Sequence, residues 1–296
     1  MGIAIAALWW GMERMFKKEK AKSRSPFGEK MLRPAGESLR LKIEEIRDQF
    51  METGMVLAIS LVAPSLVMIL LHDPTVLSNL IIWFLAAAVG YGLAVVQWRK
   101  IRNLREQLRN YNLGFDGERY VAAELNTLIG QGYRVFHDFV VDWKPGGEAT
   151  NFNIDHIVVG PAGVFAIETK TRRKPLTGKH EKIGAKAGYS VTFDGKALHF
   201  PGDMGRTDAI DQAKGNAKTL SQWLTGTAKS PVEVRPLVVI PGWYIGAENW
   251  RTSGVQTTRK LAERLPGLGR GGSLTEDKIR VIADRIEAHC RDVEGA

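Results

Sequence analysis

Asp155, Glu168 and Lys170 are the residues of this 296-residue chain whose types and spacing could do chemistry. Asp155 lies within Ile154-Asp155-His156-Ile157-Val158-Val159, and Glu168 and Lys170 end the run Val164-Phe165-Ala166-Ile167-Glu168-Thr169-Lys170. Gly160-Pro161-Ala162-Gly163 separates them, so the stretch reads as two apolar strands joined by a turn. If those four residues form the loop, Val159 pairs with Val164, Asp155 falls opposite Glu168, and Asn153 opposite Lys170. Strand side chains alternate, which puts Glu168 and Lys170 on the face of Val164 and Ala166. Two carboxylates opposed on neighbouring strands repel unless positive charge lies between them. A divalent cation and a lysine would supply it, because hard ions such as Mg²⁺ take carboxylate oxygens. The chemistry implied is metal-dependent phosphodiester hydrolysis, in which a bound ion makes a water nucleophilic and offsets the negative transition state. The plainer reading, two charges on the outer face of an amphipathic strand, is opposed by the apolar residues on either side.

Three blocks occur in order: Gly114-Phe115-Asp116-Gly117-Glu118, Ile154-Asp155-His156-Ile157-Val158-Val159-Gly160-Pro161 and Ile167-Glu168-Thr169-Lys170. Together they resemble the nuclease-related domain (NERD) branch of the PD-(D/E)xK nuclease superfamily, over Leu113 to Trp243. Ile154 stands where the superfamily's namesake proline would be, and that proline carries no ligand. The resemblance implies an α/β fold, a restriction-endonuclease-like mixed sheet flanked by helices. It implies Asp155 and Glu168 as ligands of Mg²⁺ (or Mn²⁺), with Glu118 as a third acid reaching the same ion from a helix. Lys170 would hold the attacking water or stabilise charge on the phosphate. Gln212, one turn before Asn216, falls where the superfamily carries a glutamine that contacts the nucleic-acid backbone or orders the site. From the residues alone, Glu118 is equally a helix-start glutamate favoured by the macrodipole, and Gln212 a polar residue on an exposed helix face. His156 points to the other strand face and reads as a packed histidine. Arg172, Arg173 and Lys174 suit phosphate contacts, or form a solvated charge run. No P-loop, dinucleotide fingerprint or nucleophile elbow occurs.

Elements must hold these residues in place, and the chain also has a second character. Its net charge is +9, its pI about 9.6 and its mean hydropathy −0.15, but the average conceals uneven patterning. No charged side chain occurs from Thr53 to Leu71, nor from Pro74 to Trp98. Each stretch is about long enough to cross a bilayer as a helix. With only His72-Asp73 between them they read as a transmembrane hairpin, with Pro64 kinking the first helix. Buried core helices of a soluble protein are the alternative. Arg40, Lys42 and Arg47 precede the pair, and Arg99, Lys100, Arg102, Arg105 and Arg109 follow it. The positive-inside rule then puts both termini in the cytoplasm, for a multi-pass protein of the cytoplasmic (inner) membrane. Gly90 and Gly92 with Ala86 to Ala88 offer a small-residue face through which the hairpin could form a homo-oligomer. Ahead of it, Gly2 to Met12 with Trp9 and Trp10 is either an interfacial anchor or an incidental start. Its lysines come after the apolar run, the wrong order for a signal peptide. A single cysteine, Cys290, excludes an intramolecular disulfide and any cysteine-cluster zinc site.

The expected organisation is a basic, partly flexible segment with a helix leading into the membrane (1–52), the hairpin (53–98), a basic juxtamembrane helix (99–112), and a cytoplasmic nuclease-like domain (113–296). Within the last, the pattern predicts a helix over 117–128, strands over 133–143, 189–193, 197–200 and 234–240, and helices over 207–225 and 257–265. A last helix through Ile279, Ile282 and Ile286 would be opened by a Ser273/Glu276 capping box. The function expected is a membrane-anchored, metal-dependent nuclease, with nucleic acid (DNA over RNA) and the lipid bilayer as partners. The alternative is a non-catalytic module that binds nucleic acid or a partner at the membrane.

Overall fold

The computed structural model describes residues 30–70, 77–142, 151–174, 190–201, 205–228, 231–245, 254–269 and 274–293. The expectations for Gly2–Met12 and for the His72-Asp73-Pro74 connection lie outside these residues.

Two long helices come first, α1 (Glu37–Leu70) and α2 (Leu77–Asn126). They pack along a narrow seam in which Ile43, Ile46, Thr53 and Ser60 of α1 and Ala94 and Leu104 of α2 are buried. The α1 positions recur at close to heptad spacing, the signature of two helices meeting along one stripe. Outside the seam the apolar residues face outward; Ile59, Leu61, Ile69, Phe84 and Val89 are all more than half exposed. Both helices are long and apolar enough to cross a membrane, with apolar windows of mean hydropathy 1.7 and 2.0 that are each only 11% buried. The core helix of a soluble domain would hide most of such a window.

Helix α1 continues through Pro64. Proline has no N–H, so the Ser60 carbonyl one turn earlier loses its helical donor. Helix α2 meets α1 here: a Cβ on Gly90 would lie 2.6 Å from the Ser60 oxygen and 2.9 Å from the Pro64 ring. Gly90 is therefore used inside the hairpin, whereas a Cβ on Gly92 would have nothing within 4 Å.

Helix α2 spans 50 residues without a break, about 75 Å at the α-helical rise. The juxtamembrane helix and the first domain helix are thus one element. Gly114 and Gly117, which read as a boundary in sequence, lie inside it.

The central sheet has five strands in the order β2 (Arg134–Asp142), β3 (Asn151–Gly160), β4 (Gly163–Thr169), β7 (Val234–Val239) and β9 (Val255–Gln256). The first three are antiparallel, and β4, β7 and β9 run parallel. Hairpin β3–β4 pairs Val159 with Val164, the expected register, and closes one step further at Gly160 and Gly163. Its turn is therefore Pro161-Ala162, two residues shorter than the expected loop, with Gly163 at a φ of 121°.

One face of the sheet packs Ile157, Val159, Val164 and Ala166 against helix α3 (Asp208–Ala228) and the C-terminal helix α5 (Glu276–Cys290). The other packs Val158, Phe165 and Ile167 against Val121, Leu125 and Leu128 at the end of α2 and against the short α4 (Leu261–Arg264). A small side sheet joins β5 (Ser190–Phe193) with β6 (Leu198–His199) and β8 (Tyr244–Ile245). Helix α5 starts at Glu276 with Thr275 as its N-cap and no side-chain cap bond. The expected capping box does not form, because Glu276 is the first helical residue rather than the third; Ser273 is outside the described residues.

Residues 31–36, ahead of α1, and the first turn of α1 belong spatially to the sheet end of the molecule. β1 (Met31–Leu32) pairs antiparallel with β10 (Arg291–Val293), and Arg33 N–H donates to the Cys290 carbonyl at 2.8 Å. The sequence pattern placed residues up to 35 in a flexible segment. Its order comes from partners some 260 residues away, which no local pattern encodes.

Candidate active site

The β3–β4 ladder runs to His156 and Ile167, so the next step sets Asp155 beside Glu168. Both are buried, 8% and 6% exposed. Asp155 Oδ2 accepts the Thr169 backbone N–H at 2.6 Å, which pins it to the end of β4. Lys170 donates its backbone N–H to the Val239 carbonyl at 2.9 Å, extending the parallel pairing with β7. Its ammonium reaches Asp208 Oδ2, in the first turn of α3, at 2.9 Å. Helix α3 covers the face of Val164 and Ala166, so Lys170 lies on the side that strand alternation assigns to it.

Glu118 arrives from α2 and is 7% exposed. Its placement depends on the preceding glycine: a Cβ on Gly117 would lie 2.1 Å from Thr171 Oγ1. Only without a side chain can α2 pass this close to the segment leaving β4. Gly117→Val should force the two apart and lower the melting temperature by a few degrees, with the helix content unchanged. Thermal melting beside far-UV circular dichroism checks this, and an unchanged melting temperature would refute the role given to Gly117.

Burial is the main influence on all three acids, and it favours their neutral forms. Glu118 and Glu168 are each pushed up to about 9, and Asp155 to about 7. Mutual repulsion adds to the rise at both glutamates, since each feels Asp155 and Glu118 also feels Glu168 and Asp138. The Thr169 amide opposes the rise at Asp155, Lys170 opposes it at Glu168, and the Gly36 backbone N–H opposes it at Glu118. Two carboxylate oxygens, Oε2 of Glu118 and Oε2 of Glu168, are buried with no hydrogen-bond partner. Such orphaned acceptors are costly unless something positive completes them. Asp155, Glu168 and Glu118 therefore fit a hard divalent cation by donor chemistry. Among the described residues no group of three or more His, Cys, Asp or Glu stands close enough to hold a metal ion, so binding would require these acids to draw together.

The remaining expected residues divide. Gln212 is exposed on α3, one turn before Asn216, whose Nδ2 donates to the Asn153 carbonyl at 3.0 Å. Arg173 is engaged by α2: its guanidinium donates to Asn110 Oδ1 at 2.8 Å and to the Arg109 carbonyl. Arg172 lies over the Phe200 ring at 4.5 Å, while its carbonyl accepts from Trp243 Nε1 at 3.1 Å. Lys174 is exposed. Two members of the basic run thus tie the β4 exit to α2 and to the side sheet.

His156 is packed on the other strand face as expected, and sequence reading missed three groups here: its neighbour His137, Asp208 and Asp138. His156 is fully buried on the other strand face, with its Nδ1 2.9 Å from His137 Nδ1 and its Nε2 3.2 Å from Thr169 Oγ1. Burial lowers both histidines, His137 to about 4, so both are neutral at pH 7. They buttress the residue whose amide holds Asp155. Asp208 was not singled out, although an acid in the first turn of a helix is a recognisable signal. Asp138 was also missed, although a carboxylate inside the apolar strand pattern Val135-Phe136-His137-Asp138-Phe139-Val140 is the same signal that marked Asp155.

Fold and site define a mixed α/β domain with an acidic, lysine-bearing cluster at one end of its central strands. Residues 113–241 match the model of the nuclease-related domain family (NERD). No curated protein and no solved structure matches the chain.

Proposed function

We propose that this protein is a membrane-anchored nuclease that hydrolyses nucleic-acid phosphodiester bonds, DNA in preference to RNA, with Mg²⁺ or Mn²⁺. The carrying observation is the buried Glu118, Asp155 and Glu168 cluster with two unsatisfied carboxylate oxygens, beside Lys170. Those three acids would hold the ion, which when bound supplies Lewis acidity and a water of lowered pKa. Asp155 is held rigid by the Thr169 amide, so it needs little rearrangement. Lys170 faces the same end of the sheet and offsets negative charge on the phosphate, while Asp208 fixes the ammonium between turnovers.

Residues 53–98 anchor the protein as a hairpin in the cytoplasmic membrane, with both termini and the nuclease-related domain (from about residue 113) in the cytoplasm. What supports this is the outward-facing apolar surface of α1 and α2 and the arginine and lysine flanks at their cytoplasmic ends. Homo-oligomers through the hairpin would use a face other than Gly90.

The test is Mg²⁺ and Mn²⁺ titration of the full chain in lipid nanodiscs, with labelled single-stranded, duplex and branched DNA and RNA. Cleavage that requires the ion supports the reading. A second reading, a non-catalytic nucleic-acid-binding module, draws on the Lys170–Asp208 pair, which occupies the lysine. Salt-dependent binding without cleavage on any substrate would favour that module and remove the nuclease reading.

A further inference from the structure

Asp138 is fully buried and has a φ of 48°, a backbone conformation that side-chain-bearing residues adopt at a cost. It sits in β2 between the pairs His137–His156 and Phe139–Ile154, directly across from Asp155. Its left-handed backbone takes this step out of the ladder, and Phe136 and Phe139 then both join the core under α3 and α5. Strain of this kind persists only where surrounding contacts enforce it. Here they come from residues that precede the membrane hairpin.

Asp138 Oδ2 accepts from Arg33 Nε at 2.9 Å and Nη2 at 2.6 Å, and from the Ser38 backbone N–H at 2.8 Å and hydroxyl at 2.9 Å. Asn153 Nδ2 donates to the other oxygen at 3.0 Å. Arg33 and Asp138 are only 10% and 1% exposed. Removing one partner of so buried a pair leaves an uncompensated charge next to Asp155.

The same strap reaches a second carboxylate. Gly36 stands against Glu118, whose Oε2 would lie 3.7 Å from a Cβ on that glycine. Gly36 has a φ of 77°, and a Cβ there would lie 2.6 Å from the Phe115 ring. Phe115 is one turn before Glu118 on α2, so only glycine lets the strap backbone pass the ring and meet the acid.

We propose that residues 31–38 are an integral part of the nuclease-related domain, with Arg33 and Gly36 as positioning residues that set Asp155 and Glu118 for the divalent cation. The domain is then discontinuous: the hairpin is inserted between its strap and its first helix, and the family match at 113–241 covers only the larger part. This inference rests on the metal-dependent nuclease reading and extends it to residues outside the matched region.

The experiment uses the full chain in nanodiscs and Mn²⁺ alone, with the free ion read by electron paramagnetic resonance, beside thermal melting and cleavage. Arg33→Gln should weaken Mn²⁺ binding about tenfold and lower kcat by a similar factor, and Arg33→Lys should recover part of both. Gly36→Ala leaves the Arg33–Asp138 pair in place yet displaces Phe115, and should weaken Mn²⁺ binding several-fold by itself. If Arg33→Gln does not fold, Arg33→Lys and Gly36→Ala decide. A folded Gly36→Ala and a folded Arg33 variant that melt earlier but keep wild-type Mn²⁺ affinity and kcat would reduce the strap to a structural staple and overturn the proposal, with the nuclease reading intact. Wild-type protein that binds no Mn²⁺ would overturn both.

Discussion

Glu168→Gln should lower cation-dependent cleavage by about three orders of magnitude and at the same time raise the melting temperature at pH 8 in the absence of divalent ions. The two effects come from one cause. Burial lifts the Glu168 carboxyl to about 9 from its ordinary 4.5, with Asp155 adding repulsion. Between those values the folded chain keeps a proton that the unfolded chain has released. Stability therefore falls as pH rises from about 4.5 to about 9. Glutamine has the same shape, never ionises, and is exempt from that loss. Its advantage over wild type should be small at pH 5 and grow towards pH 8.5.

Glu118 and Asp155 are raised by the same physics, so wild-type protein should lose stability steadily on the alkaline side until Mn²⁺ is added. The ion displaces the protons, and its apparent affinity should climb with pH over this range. Melting curves of both proteins at pH 5, 7 and 8.5, with and without Mn²⁺, separate the contributions. An equal gain at every pH would sink the burial account; cleavage that survives in Glu168→Gln would sink the mechanism.

The β3–β4 hairpin was legible because two independent signals coincide there. Two continuous apolar runs mark strands buried on both faces, and Gly160-Pro161-Ala162-Gly163 marks the turn between them, so the Val159–Val164 register follows. The long helix that runs into the domain was less legible. The change from apolar to basic residues near Trp98, and the glycines at 114 and 117, look like boundaries. Yet no proline interrupts residues 77–126, and Gly117 is tolerated because Thr171 needs the space. Arg173 shows a limit of another kind. A basic run declares its charge but not its partner, and the partner is a carbonyl on α2. The strap was not legible at all. Arg33 and Asp138 are 105 positions apart with the hairpin between them; an aspartate within an apolar strand asks for a buried partner, but nothing local to either residue names the other.

Lys170→Met should lower kcat by about a hundredfold, with a smaller loss of Mn²⁺ affinity that narrows at high pH. The ammonium has two effects that this substitution separates. It lowers the proton affinity of Glu168 and Asp155, so losing it makes both acids harder to ionise and the ion harder to bind near pH 7. Raising the pH to about 9 removes part of the proton competition, and the gap in Mn²⁺ affinity from wild type should narrow. Turnover should not return, because methionine cannot offset charge on the phosphate whatever the pH. Asp208→Asn is the complementary variant. It releases the Lys170 ammonium and removes a negative charge that holds the Glu168 proton in place, so Mn²⁺ should bind more readily at neutral pH. A Lys170→Met protein whose kcat recovers together with its Mn²⁺ affinity would show that the lysine serves only to ionise Glu168, with no part in neutralising the substrate.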